Sequence, residues 1–374
     1  MAQNEQLRVG VIGCGAGIFH LEGYREESRA KIVALAGLDT DRCHQLAKRF
    51  EIPRIYSDYR ELLAQDDIDA VSVAVPNNLH LPVALAAFEA GKHVLIEKPL
   101  ARNAEEGEQM VAAAKAHGKV LAIAFQRRTR HDVALVREQI ESGEFGRIYY
   151  AKAFWMRRSG IPGWGSWFTS KEAAGGGPLI DLGVHVLDMA LYVLGNPKVL
   201  AVSANTYAEI GPQGKGNWPG RAQRFVPDGH TGYEVEDLAT AFIRLEGGAT
   251  LLLETSWAAF TEMQDDFGIQ VYGSNGGARI FAENYALTGT LDVFSGFGDT
   301  TMDSKPRLVA REGHAQIIRG FVDGILEGKP VSPDGQEGLD RVRIIDAIYR
   351  SAALGREIVL AESTAAPQLE GVIS

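Results

Sequence analysis

The segment RVGVIGCGAG, residues 8–17, decides the fold of the first part of the chain. Its apolar half predicts a β-strand, and the glycines that follow predict a tight turn before a helix. Such a turn lets the backbone approach the pyrophosphate of a dinucleotide, which then lies at the helix N-terminus. We predict a dinucleotide site contacted by Gly13, Gly15, Ala16, Gly17 and Ile18. The alternative is a tight turn without a ligand, because Ile18 replaces the third glycine of G-x-G-x-x-G.

The first 125 or so residues alternate between two sequence patterns. Short apolar runs lie at 8–13, 32–38, 70–75, 93–97 and 120–124. Helix-like stretches separate them, at 41–50, 59–65, 79–90 and 104–117. This alternation predicts a parallel sheet with helices on both faces, because parallel strands need crossover connections. We therefore predict an α/β fold whose first domain, residues 1–126, is a Rossmann domain.

The residue at the end of the second apolar run bears on which dinucleotide binds. Asp39 follows Gly15 by 24 residues, where an acid can bind the ribose hydroxyls of NAD and repel the 2′-phosphate of NADP. The alternative is that Asp39 caps the following helix. We predict NAD as the cofactor, although the nearby Arg42 leaves NADP open.

The pattern changes after about residue 145. Alternating apolar segments at 199–207, 239–245, 249–256, 267–272 and 278–282 predict a mainly antiparallel or mixed sheet. Helices are predicted at 178–194, 314–327 and 336–354. We assign residues 127–374 to a second domain for substrate binding and assembly, whose last helices can pack back on the first. The Gly- and Pro-rich segment 209–230 is predicted as a long loop, in which the polar and aromatic residues that could close over the site are Lys215, Trp218, Arg221 and Arg224.

Composition excludes several classes of protein. The 374 residues carry 38 basic and 48 acidic side chains, a formal net charge of −10, which argues against nucleic acid or an anionic membrane as the partner. The two cysteines, Cys14 and Cys43, suggest neither a disulfide framework nor a metal site, and hence a reducing compartment. The N-terminal residues lack a signal-peptide pattern, and no apolar run reaches 18 residues. We expect a cytoplasmic protein without a bound metal.

Polar motifs follow three of the predicted parallel strands. They are PNNLH at 76–80, EKPL at 97–100 and FQRR at 125–128. Ligands bind outside the carboxyl ends of the strands in open α/β sheets, so these motifs should face one crevice. The segment GGGPLIDLGVH, residues 175–185, opens the first helix of the second domain.

With these motifs in this order, the chain resembles the glucose–fructose oxidoreductase/inositol dehydrogenase (Gfo/Idh/MocA) family over nearly its whole length. The resemblance implies a second domain with a large open sheet, a nicotinamide cofactor, and sugars, inositols or related alcohols as substrates. It implies that Lys98, Asp181 and His185 line the reaction centre. It also implies a homodimer or homotetramer. The glycine turn departs from the pattern most common in the family, which affects the pyrophosphate contacts.

Oxidation of an alcohol needs a base for the hydroxyl proton, and histidine suits this role because its unperturbed pKa is about 6.5. We predict His185 as this base, Lys98 as the group that stabilises the reacting oxygen, and Asp181 as a residue that orients His185 or holds a substrate hydroxyl. The alternative is that Asp181 and His185 form a surface pair on a helix. His80 is a weaker candidate that could instead pack its helix, and Asp188 is predicted to support the helix.

The predicted cofactor contacts outside the glycine turn come from the motifs that follow the strands. They are Asp39, Arg42, Pro76, Asn77, His80, Glu97, Lys98 and Gln126. Aromatic and basic residues suit a carbohydrate, whose ring faces are apolar and whose edges carry hydroxyls. The predicted substrate contacts are Lys98, Arg128, Trp155, Arg157, Trp164, Trp167, Asp181 and His185. Alternatively, the tryptophans pack a loop, and the arginines either select an anionic substituent or lie on a solvated face.

Three functions fit these residues. The first is an NAD-dependent dehydrogenase that oxidises a secondary hydroxyl of a sugar, sugar derivative or inositol. The second is an NAD-dependent glycosidase that oxidises C3 transiently, eliminates the aglycone and returns the hydride, which requires a second base such as a tyrosine or His80. The third is a cofactor-binding regulator without chemistry, which the presence of Lys98, Asp181 and His185 disfavours. The sequence does not identify the sugar, the carbon or the direction.

Overall fold

The computed structural model describes residues 6–218 and 232–361, so Arg221 and Arg224 of the predicted closing loop lie outside the described residues. The strands of the first sheet are β1 (Leu7–Ile12), β2 (Ala30–Ala36), β3 (Ile55–Tyr56), β4 (Ala70–Val73), β5 (His93–Ile96) and β6 (Leu121–Ile123). Their spatial order is β3-β2-β1-β4-β5-β6, and every neighbouring pair is parallel. This is the doubly wound order of a dinucleotide-binding sheet, so the predicted Rossmann domain is confirmed. Strand β3 was not predicted, because two residues are too short to show a period.

The helices that connect these strands are α1 (Gly17–Tyr24), α2 (Thr40–Phe50), α3 (Tyr59–Leu63), α4 (His80–Glu89) and α5 (Ala104–Ala116). Side chains cap three of them, since Asp39, Asp58 and Asn103 accept hydrogen bonds from backbone N–H groups in the first turns of α2, α3 and α5. Such caps satisfy N–H groups that have no partner within the helix.

The second sheet has nine strands. They are β7 (Ile148–Arg157), β8 (Val199–Tyr207), β9 (Leu238–Leu245), β10 (Thr250–Ser256), β11 (Asp265–Gly273), β12 (Gly277–Ala282), β13 (Leu291–Phe297), β14 (Thr300–Ser304) and β15 (Ile358–Val359). Their order is β14-β13-β12-β11-β7-β10-β9-β8-β15, and all neighbours are antiparallel except β7 and β10. The predicted large, mainly antiparallel sheet is therefore confirmed. Strand β7 was missed because its buried side ends in a charged residue, Arg157, which breaks the alternation of apolar and polar residues.

The remaining helices are α6 (His131–Glu141), α7 (Lys171–Ala174), α8 (Val184–Val193), α9 (His314–Glu327) and α10 (Gly335–Leu354). A turn of π-helix, Leu179–Gly183, leads into α8, so the predicted helix 178–194 is not a regular α-helix throughout. Helix α9 packs on α1 of the first domain, where Gly23 leaves room for Ile318. Helix α10 packs on both α5 and β8, so the C-terminal helices bridge the two domains.

One helical stretch, Lys171–Val193, is long and apolar enough to cross a membrane by length and composition alone. However, 89% of its apolar window is buried inside the protein. Burial on this scale is expected of a helix in the core of a globular protein, where apolar residues on all sides of the helix contact other protein groups.

The two cysteines correct one prediction. Cys14 of the glycine turn and Cys43 of α2 are joined by a disulfide, although they are 29 residues apart in sequence. The sequence suggested no pairing, but the parallel arrangement of β1 and β2 brings the turn after each strand to the same edge of the sheet. We predicted a reducing compartment because the two cysteines seemed unpaired, and that argument is therefore wrong. The cytoplasmic location stays a prediction.

Candidate active site

The glycine turn is shaped for close approach of a ligand. Gly13 has a φ of 109°, and a Cβ atom there would lie 2.1 Å from the carbonyl oxygen of Ala74, so another residue would clash. In contrast, a Cβ atom at Gly15 would meet nothing within 4 Å, which leaves open space above the turn. Helix α1 begins at Gly17 without a side-chain cap. Its first N–H groups can therefore bind an anion such as the pyrophosphate of NAD.

Asp39 caps the helix that follows it, which was the alternative role, and its contact with the ribose stays a prediction. One carboxylate oxygen accepts a hydrogen bond of 3.0 Å from the backbone N–H of Arg42 and so caps α2. The other oxygen has no hydrogen-bond partner within the part of the chain that the structure describes, and it can accept from a ribose hydroxyl. The side chain of Arg42 donates from Nε to the carbonyl oxygen of Cys14 at 2.5 Å, which directs it toward the glycine turn.

Three side chains meet where the two domains face each other. Lys98 follows β5 of the first sheet, and its ammonium group lies 3.0 Å from Oδ1 of Asp181 in the π-helical turn. The second oxygen of Asp181 accepts a hydrogen bond of 3.0 Å from Nε1 of Trp257. Burial alone would raise the pKa of Asp181, but Lys98 and then Arg157 lower it below its usual value. Asp181 is therefore an ionised carboxylate held from both sides.

His185 lies on the first turn of α8, with 5% of its surface exposed. Its ring packs against Trp155 with 5.5 Å between the ring centres, and Nδ1 is buried without a hydrogen-bond partner. Burial, followed by the charges of Lys98 and Arg127, holds the pKa of His185 well below its ordinary value. The imidazole is therefore neutral at pH 7 and able to accept a proton.

The predicted orientation of His185 by Asp181 is not present. The described residues contain no hydrogen bond between the two side chains, because Asp181 is already engaged by Lys98 and Trp257. Trp155, rather than a carboxylate, lies against the imidazole ring. The other predicted role of Asp181, holding a substrate hydroxyl, stays a prediction.

The carboxylate of Glu97, which was predicted as a cofactor contact, forms hydrogen bonds with protein groups. Its Oε1 lies 3.0 Å from Nε2 of His20 and 2.8 Å from Nε2 of His314, and its Oε2 accepts from the backbone N–H of Lys98 at 3.2 Å. Burial would raise the pKa of Glu97, but the hydrogen bonds from the two histidines outweigh it and hold the pKa well below the usual value. Glu97 thus fixes the start of the Lys98 segment, and its predicted contact with the cofactor stays a prediction.

Sequence reasoning missed both histidines. His20 comes from α1 and His314 from the start of α9, 77 and 217 residues from Glu97, so no spacing pattern connects them. The ligand atoms of the three side chains lie within 4.8 Å of one another, an arrangement that a metal ion could also use. The predicted absence of a metal stays a prediction.

In the motif PNNLH that follows β4, the side chains of Asn77 and His80 contact protein groups. Nδ1 of His80 lies 2.9 Å from the carbonyl oxygen of Pro99, and Nε2 lies 3.1 Å from that of Val75. His80 therefore packs its helix, which was the alternative, and its predicted contact with the cofactor stays a prediction. Asn77 next to Pro76 donates to the carbonyl oxygen of Ala174 in the second domain at 2.8 Å.

Two neighbouring residues after β6 have different environments. Gln126 has a buried Oε1 without a hydrogen-bond partner, so this predicted cofactor contact retains a free acceptor. Arg128 is buried among carboxylates, with Nε 2.8 Å from Asp188 and Nη1 2.6 Å from Glu337. These ion pairs give Arg128 a structural role, and its predicted contact with substrate stays a prediction. Asp188 supports the helix, as predicted, by also pairing with Arg341.

Trp155 and Arg157 of β7 share one partner. Nε1 of Trp155 and Nε of Arg157 each donate to Oδ1 of Asp265 at 2.8 Å, and Arg157 also donates to the hydroxyl of Tyr285 at 2.7 Å. Both side chains are buried. They form a wall beside His185 instead of an exposed aromatic platform, and Asp265 neutralises the charge that Arg157 would offer to an anion.

Arg127 was not predicted as a site residue, yet its guanidinium lies 4.9 Å from the ring centre of Trp155 and pairs with Glu312. Its charge lowers the pKa of His185. The motif FQRR indicated that polar residues lie at this edge of the sheet. It did not indicate which of its two arginines would lie near His185.

Trp164 and Trp167 lie in the loop after β7. The alternative prediction for them, that they pack this loop, holds in part. Trp167 stacks on Phe168 with 3.8 Å between ring centres, and Trp164 stacks on Tyr233 at 5.7 Å. Nε1 of Trp164 is buried without a hydrogen-bond partner, so it can still donate to a ligand. Trp164 therefore combines packing with a free polar atom.

Comparison with known families matches both domains. The family described as "Oxidoreductase family, NAD-binding Rossmann fold" matches residues 7–125, and the Gfo/Idh/MocA C-terminal domain matches residues 133–279. The first match agrees with the predicted cofactor, NAD.

Individual relatives match over most of the chain. D-glucoside 3-dehydrogenase of Escherichia coli (strain K12) is 34% identical over 95% of this chain and 97% of its own length. Levoglucosan dehydrogenase of Pseudarthrobacter phenanthrenivorans is 32% identical over 83% of this chain and 84% of its own length. A solved structure of levoglucosan dehydrogenase in complex with NADH is 29% identical, has a TM-score of 0.82, and matches over 96% of this chain and all of that chain. The chain therefore belongs to the Gfo/Idh/MocA family of NAD-dependent oxidoreductases.

Proposed function

We propose that the chain oxidises a secondary hydroxyl of a sugar, sugar derivative or inositol, with His185 as the general base. The observation that carries this proposal is a neutral, buried imidazole next to a lysine–carboxylate pair. A histidine whose pKa lies well below its ordinary value keeps a free nitrogen lone pair at neutral pH, as abstraction of a hydroxyl proton requires. When NAD is bound, it accepts the hydride from the carbinol carbon.

Lys98 has the role of stabilising the reacting oxygen. Its ammonium group carries three donors, of which Asp181 accepts two, one at the carboxylate and one at the backbone carbonyl. One donor therefore remains for the alcohol oxygen, on which negative charge develops as its proton leaves. Asp181 holds the ammonium group in place, and its carboxylate can also accept a hydrogen bond from a neighbouring substrate hydroxyl.

Relatives support a secondary carbohydrate hydroxyl as the reacting group. The Escherichia coli relative is named a D-glucoside 3-dehydrogenase, which places its reaction at one ring hydroxyl of a glucoside. We therefore regard position 3 of a glucoside as the first candidate. The glycosidase alternative needs a second base, and the described residues lend it little support. His80 is bound to backbone carbonyls, and burial raises the pKa of Tyr285.

We also propose a homodimer or homotetramer that forms through the outer face of the nine-stranded sheet. On this face Tyr150 packs against Tyr272, and Phe154 against Phe281, with 5.1 and 5.7 Å between ring centres. These side chains are half-buried in the single chain, while Ala151, Ala153 and Trp155 on the opposite face of β7 are buried. Apolar area of this kind is commonly covered by a second copy. Analytical ultracentrifugation would test this assembly.

The decisive experiment is to incubate the purified chain with NAD and a panel of free sugars, methyl glycosides, inositols and anionic sugars. NADH absorbance reports oxidation, and chromatography identifies products. Stoichiometric NADH and a keto product would support a dehydrogenase and name its substrate class. NAD-dependent cleavage of a glycoside without NADH would instead establish the glycosidase, and no reaction across the panel would contradict both.

A further inference from the structure

Trp257, which directly follows β10, is a residue of the reaction centre that the sequence motifs do not include. Its side chain is fully buried, and Nε1 donates a hydrogen bond of 3.0 Å to Oδ2 of Asp181. The two residues are 76 positions apart in sequence. A buried indole N–H needs an acceptor, and here the acceptor is the carboxylate that also binds Lys98.

The indole of Trp257 is held by its surroundings. The backbone N–H of Trp257 donates to the carbonyl oxygen of Asp237 at 3.0 Å, which continues the pairing of β10 with β9. Oγ of the neighbouring Ser256 donates to the same oxygen at 3.0 Å. Phe168 packs edge to face on the indole, with 6.4 Å between the ring centres. The sheet and the packing around it therefore fix the position of Nε1 independently of Asp181.

The end of β10 also contacts the π-helical turn that carries Asp181. Oγ1 of Thr255 donates to the carbonyl oxygen of Pro178, the residue before this turn, at 3.1 Å. At Gly183 in the turn, a Cβ atom would lie 3.2 Å from the methyl group of Thr255, so the strand and the turn are in close contact. Turns of π-helix are frequent at functional sites. Thr255 and Trp257 together fix this turn on the end of the strand.

The two oxygens of the Asp181 carboxylate bind different donors. Oδ1 accepts from the ammonium group of Lys98 at 3.0 Å, and Oδ2 accepts from Trp257. Within residues 6–218 and 232–361, the ammonium group donates to Oδ1 and to the backbone carbonyl oxygen of Asp181, which leaves one of its three donors free. A buried, ionised oxygen without a donor is costly. Without the indole N–H, Oδ2 would therefore turn to the free donor of Lys98.

We propose that Trp257 is a positioning residue of the oxidation, which keeps the third N–H of Lys98 available for the alcohol oxygen by occupying Oδ2 of Asp181. This inference rests on the proposed function, in which that N–H stabilises the negative charge that develops on the alcohol oxygen. In this role Trp257 contacts neither substrate nor cofactor and acts through the carboxylate alone. The indole thus determines how the carboxylate and the ammonium group share their hydrogen bonds.

The test uses methyl β-D-glucopyranoside as substrate and NAD as oxidant. Trp257→Phe removes the indole N–H and keeps an aromatic ring. We expect kcat to fall about ten- to a hundredfold, the factor that corresponds to one hydrogen bond to a charged group. The ratio kcat/KM for the glucoside should fall by the same factor, because the lost contact is made mainly in the transition state. The dissociation constant of NADH should stay unchanged.

Two further variants separate the hydrogen bond from packing. Replacement of Trp257 by 3-benzothienylalanine exchanges the N–H for sulfur at nearly the same shape, and should lower kcat by the same factor as Trp257→Phe. Asp181→Ala removes the acceptor, so Trp257→Phe should cause no further loss of kcat in this background. An equal loss in both backgrounds would show that Trp257 acts through packing alone and would overturn the proposal.

Matched controls lie in a separate hydrophobic cluster that β1, α1 and α9 share. Tyr24→Phe removes a buried hydroxyl that lies 3.0 Å from Oγ of Ser72, and Phe321→Leu removes volume from a fully buried ring. Both should lower the free energy of unfolding, measured with denaturant, and leave kcat unchanged. A loss of kcat in these controls that matches the loss in Trp257→Phe would assign the effect to destabilisation and contradict the positioning role.

The outcomes distinguish the two proposals. Wild-type kcat in Trp257→Phe would overturn the positioning role and leave the proposed function in place. If the wild type oxidises no glucoside, the proposed function fails for glucosides, and crystal structures of the wild type and of Trp257→Phe decide the positioning role. Oδ2 of Asp181 bound to Lys98 in the variant would support it, whereas an unchanged arrangement of the two side chains would overturn it.

Discussion

The ammonium group of Lys98 lies 3.0 Å from both the side-chain Oδ1 and the backbone carbonyl oxygen of Asp181. Lys98 follows a strand of the Rossmann sheet, and Asp181 belongs to the second domain, 83 residues later. Two hydrogen bonds to one residue fix the ammonium group more narrowly than a single ion pair would. The relative position of the domains therefore sets the geometry of the reaction centre.

Replacing His185 should affect chemistry and spare cofactor binding. We expect His185→Gln to lower kcat at least about a hundredfold, because general base catalysis contributes about 10²–10⁴. NADH binding, measured by fluorescence titration, should stay nearly unchanged. The exposed His117 at the end of α5 provides the control, since His117→Gln should keep full turnover. Wild-type turnover in His185→Gln would show that another group takes the proton.

The pH profile should reflect the lowered pKa of His185. Burial, Lys98 and Arg127 lower that pKa well below its ordinary value, so the base stays neutral as the pH falls through about 6.5. We expect kcat/KM at pH 6 to remain close to its value at pH 7.5, with the acidic loss of activity at lower pH. A loss centred near pH 6.5 would contradict this assignment.

The same shift affects stability. Below pH about 6.5 the unfolded chain binds a proton at His185 while the folded chain does not, so the free energy of unfolding decreases as the pH falls. This residue alone contributes a slope of at most about 1.4 kcal/mol per pH unit between the unfolded and folded pKa values. His185→Gln should remove that part of the slope in denaturant titrations at several pH values.

Asp39 should set the preference for NAD over NADP. Asp39→Asn keeps a good N-cap but removes the charge that repels a 2′-phosphate. We expect the ratio of kcat/KM for NAD to that for NADP to fall about tenfold, which corresponds to 1.4 kcal/mol. Asp41→Asn removes a charge in the same first turn and should leave the ratio intact. An unchanged ratio in Asp39→Asn would restrict this residue to capping.

Arg128 should matter for stability and not for substrate affinity. Arg128→Met leaves the buried carboxylate of Asp188 with one arginine fewer, and loss of one partner of a buried ion pair costs about 3–5 kcal/mol. Denaturant unfolding measures the loss, and KM should stay constant. Arg137→Met is a suitable control, because Arg137 lies on the same Tyr192 ring but pairs at the surface with Glu141. A raised KM without destabilisation would restore Arg128 as a substrate contact.

Local chemistry explains why much of the first domain could be predicted. The strand, the glycine turn and the helix that follows are each encoded within about ten residues, and their alternation predicts a parallel α/β sheet. The predicted strand at 199–207 and helix at 314–327 match β8 and α9 at both ends. Strand β7 was missed because its buried Arg157 is charged, and burial of a charge depends on a partner elsewhere in the chain, Asp265.

The sequence by itself determined the alternation of strands and helices in the first domain, the glycine turn after the first strand, and the motifs that contain Lys98, Asp181 and His185. Only the tertiary structure decided which charged residues face the site. Arg128 is buried in an ion pair with Asp188, and Glu97 is paired with His20 and His314. Trp155 packs against the ring of His185. The physical reason is that a motif is read over neighbouring residues, whereas the pairing and pKa of a buried group depend on side chains brought together from distant segments.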